Sequence, residues 1–455
     1  MKNMIAELKP YPAMKDSGVE WLGEVPEHWE VPRLGNLLRE RGETNAKGEI
    51  QEVLSVLRDR GVIPYAEKGN IGNKRSEDIT RYKIVRPDDL VVNCMNVIIG
   101  SVGLSRYTGC LSPVYYVLTR RSDRDHPGYL NAYFQTKPFQ KSLVRIGYGI
   151  LAHRMRIPME LLKCELFPRP PLPEQAAIVR YLDHVDRRVR RLLQAKRKLI
   201  ALLTEQKQAI IHHAVTRGLD PDVPLKDSRV EWLGEVPAHW EVSQLGRIGT
   251  FSKGNGGTKE DEVAEGVPCV RYGDLYTQHR FFVDEAKACV SRDRASDYTP
   301  IQYGDVLFAG SGETIEEIGK SAVSLLSRPA CCGGDVILFR PSVAVDAKFL
   351  GLSTDCPQAA YQKSCMGRGI TIMHIYGSEL KYLSIALPPL PEQAAIVEYL
   401  DQAIVDIDTA VARANREIEL LEEYRTRLIA DVVTGKLDVR DAAAALPEVD
   451  PPPRH

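Results

Sequence analysis

The sequence has few of the features that mark membrane or secreted proteins. It contains no run of 18 apolar residues, so no segment is suited to form a transmembrane helix. The opening MKNMIAELKPYPAMKDSG has no apolar core of a secretory signal. The nine cysteines are scattered, odd in number and never spaced as CxxC. These absences predict a cytoplasmic protein with reduced thiols and no structural metal.

Signatures of common enzymes are also missing. IGKS at Ile318–Ser321 resembles the end of a phosphate-binding loop, but Thr314 stands where a Walker motif needs glycine. KGNGGT at Lys253–Thr258 is glycine-rich, yet no apolar strand precedes it as a Rossmann fold requires. The sequence contains no HExxH, no GxSxG and no Asn/Asp-Pro-Pro-aromatic tetrad of an amino-methyltransferase. We therefore expect no catalytic residues in this chain.

The formal net charge is only −1, but the charges are unevenly distributed. Residues 32–169 contain 23 Lys and Arg against 14 Asp and Glu, whereas residues 241–387 contain 15 against 18. The first half is therefore basic and the second is mildly acidic. A basic surface favours a polyanion such as nucleic acid, although solvated basic surfaces are also common.

Two motifs occur twice. The tryptophan motif, DSGVEWLGEVPEHWEV at Asp16–Val31, matches DSRVEWLGEVPAHWEV at Asp227–Val242 in 14 of 16 positions. The PLPEQ motif, PPLPEQAAIVRYLD at Pro170–Asp183, matches PPLPEQAAIVEYLD at Pro388–Asp401 in 13 of 14 positions. Such self-similarity indicates that each half of the chain repeats one structural plan.

The inserts between these motifs, residues 32–169 and 243–387, barely resemble each other. Both nevertheless contain short β-rich runs next to turn residues, which predicts mixed α/β domains. The runs are RYKIVRPDDLVVN and SPVYYVLTR in the first insert and IQYGDVLFAGSG and GGDVILFRP in the second. A duplicated frame with divergent inserts suits a scaffold that carries two different recognition domains.

Each PLPEQ motif is predicted to open a long helix, because proline suits the first helical position. The helix dipole favours a negative charge in the first turn, so we interpret Glu174 and Glu392 as helix caps. His28 and His239 are interpreted as packing residues at a turn. Gly218 and Gly435 are plausible helix ends.

Beyond the motifs, apolar residues recur in alternating steps of four and three, which predicts coiled-coil seams. Residues 174–217 carry a net charge of +6 and residues 392–440 a net charge of −5, so we expect these helices to pair with each other, antiparallel. The alternative is that each helix is buried in its own domain. The first seam comprises Ile178, Leu182, Val185, Val189, Leu192, Lys196, Leu199, Leu203, Gln206 and Ile210, and the second comprises Ile404, Ile407, Val411, Ala414, Ile418, Leu421, Arg425 and Leu428.

In this order, the motifs resemble those of the DNA-specificity subunits of type I restriction–modification systems, over essentially the whole chain. The resemblance rests on the duplicated WLGEVPxHWEV, the duplicated PLPEQAAIVxYLD and the closing VVTGKLDVR. Within the inserts, YKIVRPDDLVVNCMN, GVPCVRYGDL, GDVLFAGSG and ELKYLSIALPPLPEQ are similar to the target-recognition domains of that family.

The resemblance implies an α+β fold with a pseudo-twofold internal repeat, in which two mixed α/β target-recognition domains are separated by an antiparallel pair of long coiled-coil helices. The implied domains are residues 1–173 and 218–391. The spacer helices would be residues 174–217 and 392–440, and residues 441–455 would form a disordered tail.

The resemblance also implies a subunit without catalytic activity. Each domain would bind one half of a bipartite, asymmetric sequence in double-stranded DNA. Two modification subunits would supply adenine-N6 methylation with S-adenosylmethionine, and two restriction subunits would supply translocation and cleavage with ATP and Mg. This chain is expected to hold no cofactor and no metal, and to lie in the cytoplasm.

Base edges are read by side chains with paired donors and acceptors, and phosphates are bound by cations and small hydroxyls. Loop-like segments of both inserts offer such residues. Each of them alone is as well explained as a solvated surface group, so the prediction concerns two clusters. They are Arg58, Arg60, Lys68, Asn70, Asn73, Lys74, Arg75 and Arg81 in the first domain, and Lys253, Asn255, Thr258, Lys259, Arg271, Tyr272 and Gln278 in the second.

The predicted helices have a length that matters for DNA. A helix of about 40 residues is roughly 60 Å long, and one turn of DNA is about 34–36 Å. We therefore expect the helices to set the distance between two half-sites, so that a heptad inserted into each lengthens the unread spacer. Two other functions remain open from the residues alone: a protein–protein scaffold without base readout, and an enzyme with an unrecognised catalytic site.

Overall fold

The computed structural model describes residues 8–58, 60–70, 74–149, 155–257 and 259–447. The chain forms two compact units, of which the first comprises Met1–Lys196 and Arg416–His455 and the second Arg197–Asn415. The division falls within the long helices, so each unit contains part of both. Among the helices described, none combines the length and the apolar character needed to cross a membrane.

The first unit is built around a four-stranded antiparallel sheet with the order β3-β10-β7-β8. The pairs β1-β2, β4-β5 and β6-β9 form smaller sheets beside it. Its elements are β1 (Met14–Asp16), β2 (Glu24–Pro26), α1 (Leu34–Leu37), β3 (Leu38–Glu40), β4 (Leu54–Leu57), β5 (Gly61–Pro64), β6 (Lys83–Val85), β7 (Leu90–Asn93), β8 (Val102–Leu104), β9 (Gly109–Leu111), β10 (Tyr115–Arg120), α2 (Pro127–Phe134), α3 (Lys137–Ser142), α4 (Met159–Leu162) and the first part of α5 (Leu172–Arg217).

The second unit contains two five-stranded sheets, with the orders β14-β24-β20-β22-β17 and β15-β18-β16-β23-β19. Its elements after α5 are β11 (Leu225–Asp227), β12 (Glu235–Pro237), β13 (Glu241–Gln244), α6 (Leu245–Ile248), β14 (Gly249–Lys253), β15 (Glu262–Val263), β16 (Val267–Val270), α7 (Tyr272–Thr277), β17 (Phe281–Val283), β18 (Ala288–Val290), β19 (Thr299–Ile301), β20 (Val306–Ala309), β21 (Ser311–Gly312), β22 (Ser321–Ser324), β23 (Ala330–Cys332), β24 (Val336–Pro341), α8 (Ala347–Asp355), α9 (Pro357–Met366), β25 (Met373–His374), α10 (Gly377–Leu380), β26 (Ser384–Leu387), α11 (Leu390–Ala403) and the start of α12 (Val405–Val433).

The inserts follow one plan despite their different residues. The four β-rich runs predicted from the sequence contain β7, β10, β20 and β24, which confirms those strands. A buried aspartate precedes β7 and β20 alike, Asp89 and Asp305. Arg41 donates to both carboxylate oxygens of Asp89 at 2.9 Å, and Arg340 donates to those of Asp305 at 2.8 and 2.6 Å. Each ion pair compensates the burial of a charge at the start of a central strand.

Within each unit, the two long helices are joined by ion pairs between opposite charges. In the first unit Asp186 accepts from Arg425 at 2.6 Å, and Lys196 pairs with Glu417. From the first ion pair to the second, the residue number rises on α5 and falls on α12. The helices are therefore antiparallel there. The predicted antiparallel pairing of oppositely charged helices is confirmed.

The seam predicted for α12 is correct, whereas the seam predicted for α5 drifts. Ile407, Ala414, Leu421 and Leu428 are all buried and lie seven residues apart. On α5, however, Leu199 is 42% exposed and Gln206 is also exposed, whereas Ile200 is half-buried.

The reason for the drift is a different period. Ile178, Val189 and Ile211 of α5 are fully buried, and together with the half-buried Ile200 they lie 11 residues apart. Eleven residues correspond to about 3.67 per turn, close to the natural 3.6 of a straight helix, whereas a heptad forces 3.5. A strict heptad therefore moves out of the buried stripe of α5 after about two repeats.

The helix ends differ in part from the predicted boundaries. Helix α5 begins at Leu172 and ends before Gly218, which has a φ of 78°. The second spacer, expected over residues 392–440, consists of α11 and α12 and ends at Val433, before Gly435 with a φ of 77°. Positive φ favours glycine, so both glycines end their helices as expected.

The chain continues into a last helix, α13 (Arg440–Ala444), where a disordered tail was predicted. Ala443 of this helix is buried in the core of the first unit, and burial of an apolar face accounts for its order. Residues 448–455 of the predicted tail lie outside the described residues.

The two repeated motifs meet each other through a glutamate. In the first unit, Glu174 of the PLPEQ motif accepts hydrogen bonds from Trp29 Nε1 at 2.9 Å and Tyr11 Oη at 2.5 Å. His28 Nε2 lies 2.8 Å from the same carboxylate. Glu174 is therefore more than the helix cap inferred from sequence, and His28 more than a packing residue, because together they tie the start of α5 to the tryptophan motif.

The second unit repeats this junction. Glu392 accepts from Trp240 Nε1 at 2.9 Å and lies 2.8 Å from His239 Nε2. Its side chain is 43% exposed, whereas that of Glu174 is 5% exposed. The sequence position equivalent to Tyr11 is Asp222, which removes one donor from the second copy.

The glutamine after each glutamate fixes the neighbouring helix. Gln175 Oε1 accepts from the backbone N–H of His126, the N-cap of α2, at 2.7 Å. Gln393 Oε1 accepts in the same way from Asp346, the N-cap of α8, at 2.8 Å. These bonds satisfy helix-end donors and explain why Glu and Gln are repeated together.

Segments from both ends of the chain complete the first unit. The backbone N–H of Asp438 donates to the carbonyl of Lys9 at 2.8 Å. A Cβ on Gly435 would lie 3.1 Å from the ring of Trp29, so the end of α12 packs against the tryptophan motif. A Cβ on Gly218 would meet Trp240 at the same distance in the second unit.

The shifted seam of α5 predicts a difference between two neighbouring isoleucines. We expect Ile211→Ala to lower the free energy of unfolding by about 2–5 kcal/mol, because Ile211 is fully buried. Ile210→Ala is the matched control, since Ile210 is only half-buried, and should cost about 1 kcal/mol. Urea unfolding followed by circular dichroism measures the free energy of unfolding of both variants. A larger loss for Ile210→Ala would support the heptad seam predicted from the sequence.

The glutamate junctions predict unequal effects of one substitution. Glu174→Ala leaves the buried donors of Trp29 and Tyr11 without their acceptor, so we expect a loss of about 2–4 kcal/mol. Glu392→Ala should cost less, because water reaches that carboxylate. Thermal unfolding monitored by tryptophan fluorescence compares the stability of the two variants. Equal losses of stability would contradict the prediction.

Candidate nucleic-acid interface

In the second unit, the loops that carry predicted DNA contacts gather at one edge of a sheet. Lys253, the last residue of β14, is opposite Ile337 near the start of β24, and Ala309, the last residue of β20, is opposite Val336. Because β24 runs antiparallel to both neighbours, the loops after β14 and β20 and the loop before β24 emerge together. We call this side the loop edge of the second unit.

The predicted residues of the second domain lie at or beside the loop edge. Lys253 and Asn255 are exposed, and the backbone N–H of Asn255 donates to Thr299 Oγ1 at 2.8 Å. Arg271 precedes α7, and a Cβ on Gly333 of the edge would lie 3.9 Å from its side chain. The Arg271 side chain is 17% exposed and forms an ion pair of 3.2 Å with Glu262.

The structure describes only some of the other residues predicted for this domain. Tyr272 is 42% exposed at the start of α7. Gln278 is exposed and donates to Asp274 Oδ1 at 3.2 Å. Thr258 lies outside the described residues, and Lys259 lies in a 3₁₀ turn at Lys259–Asp261 whose lysine side chain is not described.

In the first unit, the predicted residues follow the β4-β5 hairpin. Arg58 and Arg60 are exposed at its turn, where Arg60 donates to the carbonyl of Glu67 at 3.1 Å. Lys68 differs from the expectation of an exposed cation, because it is 7% exposed and its ammonium lies 4.7 Å from the ring centre of Tyr65. Asn73 lies outside the described residues, and the exposed members downstream of the hairpin are Asn70, Lys74, Arg75 and Arg81.

One pair of predicted residues occupies equivalent places in the two units. Arg58 follows β4 directly, and Arg271 follows β16 directly. Both strand regions make a parallel pairing with a later segment, Val53 with Cys110 and Cys269 with Cys331. Arg58 and Arg271, one from each predicted cluster, therefore follow corresponding strands of the two units.

A duplicated hairpin at the sheet edge was missed by sequence reasoning. Tyr148 and Arg156 exchange two backbone hydrogen bonds of 2.9 Å, and Arg368 and His374 exchange bonds of 2.9 and 2.7 Å. We call these segments the first and second edge hairpins. The only sequence signal is the shared pattern Gly-x-Gly-Ile, GYGI from residue 147 and GRGI from residue 367.

The glycine that follows the first paired residue has the same conformation in both edge hairpins. Gly149 has a φ of 144° and Gly369 a φ of 143°, a region that side chains avoid. Ile375 donates its N–H to the carbonyl of Gly310, the residue after β20, at 3.1 Å. Ile157 donates to Cys94, the residue after β7, at 2.9 Å. Each hairpin therefore rests on the end of a central strand, and residues 150–154 of the first lie outside the described residues.

Two titratable rings near the loop edge of the second unit, those of His279 and Tyr276, add little charge to it. Burial lowers the pKa of His279, directly after α7, below its ordinary value, so the ring is neutral near pH 7. Burial also raises the pKa of the Tyr276 hydroxyl, which stays protonated. Within the described ranges, no group of three or more His, Cys, Asp or Glu side chains is arranged to hold a metal ion.

Comparisons with known proteins agree on one family. The model for the type I restriction modification DNA specificity domain matches residues 237–420. The specificity subunit of the type I restriction enzyme MjaVIII from Methanocaldococcus jannaschii is 25% identical over 92% of this chain and 95% of that protein. The EcoKI specificity subunit from Escherichia coli is 24% identical over 45% of this chain and 44% of that protein.

A solved chain from a study of complex assembly and conformational transition of the type I restriction–modification system has the same fold. Its TM-score is 0.66 at 18% identity, with 91% of this chain and 99% of that chain covered. The chain is therefore similar to type I restriction–modification specificity subunits over most of its length. The resemblance inferred from the motifs is thereby confirmed, together with the α+β fold.

The specificity-domain match includes the loop edge, the second edge hairpin and the second PLPEQ motif. All three lie within one continuous stretch of the second half of the chain. The first half contains the same features in the same order: the first edge hairpin is followed by the glutamate junction at Glu174.

The geometry of the second edge hairpin predicts that Gly369 tolerates no side chain. A Cβ there would lie 2.0 Å from the carbonyl oxygen of Ile372, so we expect Gly369→Ala to destabilise the hairpin by about 1–3 kcal/mol. Gly273→Ala in α7 is the control, because its Cβ would meet nothing within 4 Å. Limited proteolysis should cut only the Gly369 variant faster at the hairpin, and equal rates would contradict the prediction.

Proposed function

We propose that this chain is the DNA-reading subunit of a type I restriction–modification enzyme. The observation that carries the proposal is the edge hairpin in each unit, which is bonded to the residue after a central strand. The first insert is basic, which suits the phosphate backbone. The second is mildly acidic, so its binding depends on local cations such as Lys253.

Each unit reads one half of a bipartite target in this proposal. The frames of the two units are alike, whereas the residues presented at their loops differ. A protein of this kind recognises an asymmetric sequence in two parts, with unread base pairs between them. The antiparallel helices α5 and α12 hold the units and set the length of the unread spacer.

The chemistry lies on partner subunits. Two modification subunits bind this chain and transfer a methyl group from S-adenosylmethionine to adenine N6. Two restriction subunits add translocation and cleavage, for which they use ATP and Mg. The chain itself contributes recognition and no catalytic residue, and the whole complex works in the cytoplasm, where the DNA is.

Reconstitution tests the proposed function. The purified chain is mixed with its modification subunit, S-adenosylmethionine and a DNA library, and methylated adenines are mapped. We expect methylation at one bipartite sequence only when both proteins are present. Methylation or cleavage by this chain alone would show an enzyme, and no effect of this chain on the site of methylation would show a scaffold.

Helix length tests the spacing role. Seven residues inserted into α5 after Lys196 and seven into α12 before Arg416 add about 10 Å to each helix. We expect the unread spacer to lengthen by up to about three base pairs, while both half-sites stay the same. An insertion into one helix only is the control and should abolish specific methylation, because the ion pairs between the helices lose register. An unchanged spacer in the doubly extended protein would disprove the spacing role.

A further inference from the structure

The tip of the second edge hairpin exposes large apolar side chains. Ile370 is 97% exposed, Ile372 is 55% exposed and Tyr376 is 58% exposed, all within seven residues. Single exposed apolar residues are common, but a group of them marks an interaction surface. Ile370 and Ile372 lie on the hairpin, and Tyr376 lies two residues after it. The backbone bonds between Arg368 and His374 fix the hairpin, so these side chains are presented on a firm support.

The position of this hairpin favours DNA as its ligand. Its strand β25 pairs with β21, which follows β20 at the loop edge where Lys253 also lies. Arg368 is exposed on the hairpin and adds a cation there. The neighbouring loop exposes Glu313, Glu316 and Glu317, so a phosphate contact at this edge depends on cations such as Arg368 and Lys253.

The comparison of the two hairpins identifies the variable position. Both have the pattern Gly-x-Gly-Ile and the same glycine conformation, but the residue between the glycines is Tyr148 in the first and Arg368 in the second. Tyr148 is 67% exposed and Arg368 is also exposed. Different side chains at one corresponding, exposed position are what two different half-sites require.

We propose that the second edge hairpin enters a DNA groove and that Arg368 is a specificity-determining residue for the half-site of its unit, while Tyr148, at the corresponding position of the first unit, has the same role for the other half-site. A two-stranded ribbon fits the major groove, and arginine reads guanine through two hydrogen bonds. Ile370 packs against the base edges beside Arg368. This inference rests on the proposed function.

The test maps methylation by the full chain with its modification subunit for wild type, Arg368→Ala and Tyr148→Ala. Arg247→Ala is the matched control, because Arg247 is exposed on α6, next to the start of β14 and thus away from the loop edge. We expect Arg368→Ala to relax one base position in one half-site, with a loss of discrimination of about 5- to 150-fold. Tyr148→Ala should relax a position in the other half-site only.

Apolar contact is tested by Ile370→Ala, with Val343→Ala as its control. Val343 is 41% exposed after β24, at the opposite side of the sheet. Ile370→Ala should weaken specific binding by about tenfold or more, while Val343→Ala leaves it unchanged. Thermal unfolding of each variant checks that these exposed positions can be changed without loss of folding. Arg368→Gln is a second variant that removes the charge of Arg368 but keeps a polar side chain.

Each outcome has a distinct meaning. If the wild-type complex methylates no specific sequence, the proposed function fails. If it does so and the hairpin variants match their controls, the proposed function stands and the hairpin inference is wrong. If the hairpin variants no longer associate with the modification subunit in size-exclusion chromatography, the hairpins are protein-docking surfaces, which also overturns the inference.

Discussion

In each half of this protein, a glutamate in the first turn of a helix accepts the indole N–H of a tryptophan that lies 145 or 152 residues away. This bond joins the first and last parts of a recognition domain at the point where its helix begins. The adjacent glutamine bonds to the N-cap of a helix inside the insert, so the insert is oriented by the same turn. The direction of the helix and the orientation of the sheet are therefore fixed relative to each other within each unit.

This junction explains why the frame was visible in the sequence. Side chains make its bonds, so their identities are repeated, and Trp29, Trp240, Glu174 and Glu392 could all be found by comparing the two halves. What the pattern did not reveal was that the two motifs bind each other. They are far apart along the chain, and a helix cap was a sufficient local explanation of the glutamate.

The inserts were harder to predict for the opposite reason. Their common plan depends on backbone pairing and on burial, which many residues satisfy, so strands were found but the match between the inserts was not. The edge hairpins depend on two glycine conformations and on backbone bonds, which left only Gly149 and Gly369 as signals. The seam predicted for α5 is wrong at Leu199 and Gln206 for a geometric reason: the heptad suits α12, whereas the buried residues of α5 follow a period closer to 11.

The order of the segments in the two units has a consequence for folding during synthesis. The second unit, Arg197–Asn415, is one continuous stretch, so all of its contacts are available as soon as that stretch has been made. The first unit needs Arg416 onwards for its second helix, for the bond between Asp438 and Lys9 and for the burial of Ala443. Although it is translated first, it is completed last. On the ribosome its exposed apolar helix face must wait for the whole second unit, which makes the earlier part of the chain the one that depends on protection from aggregation.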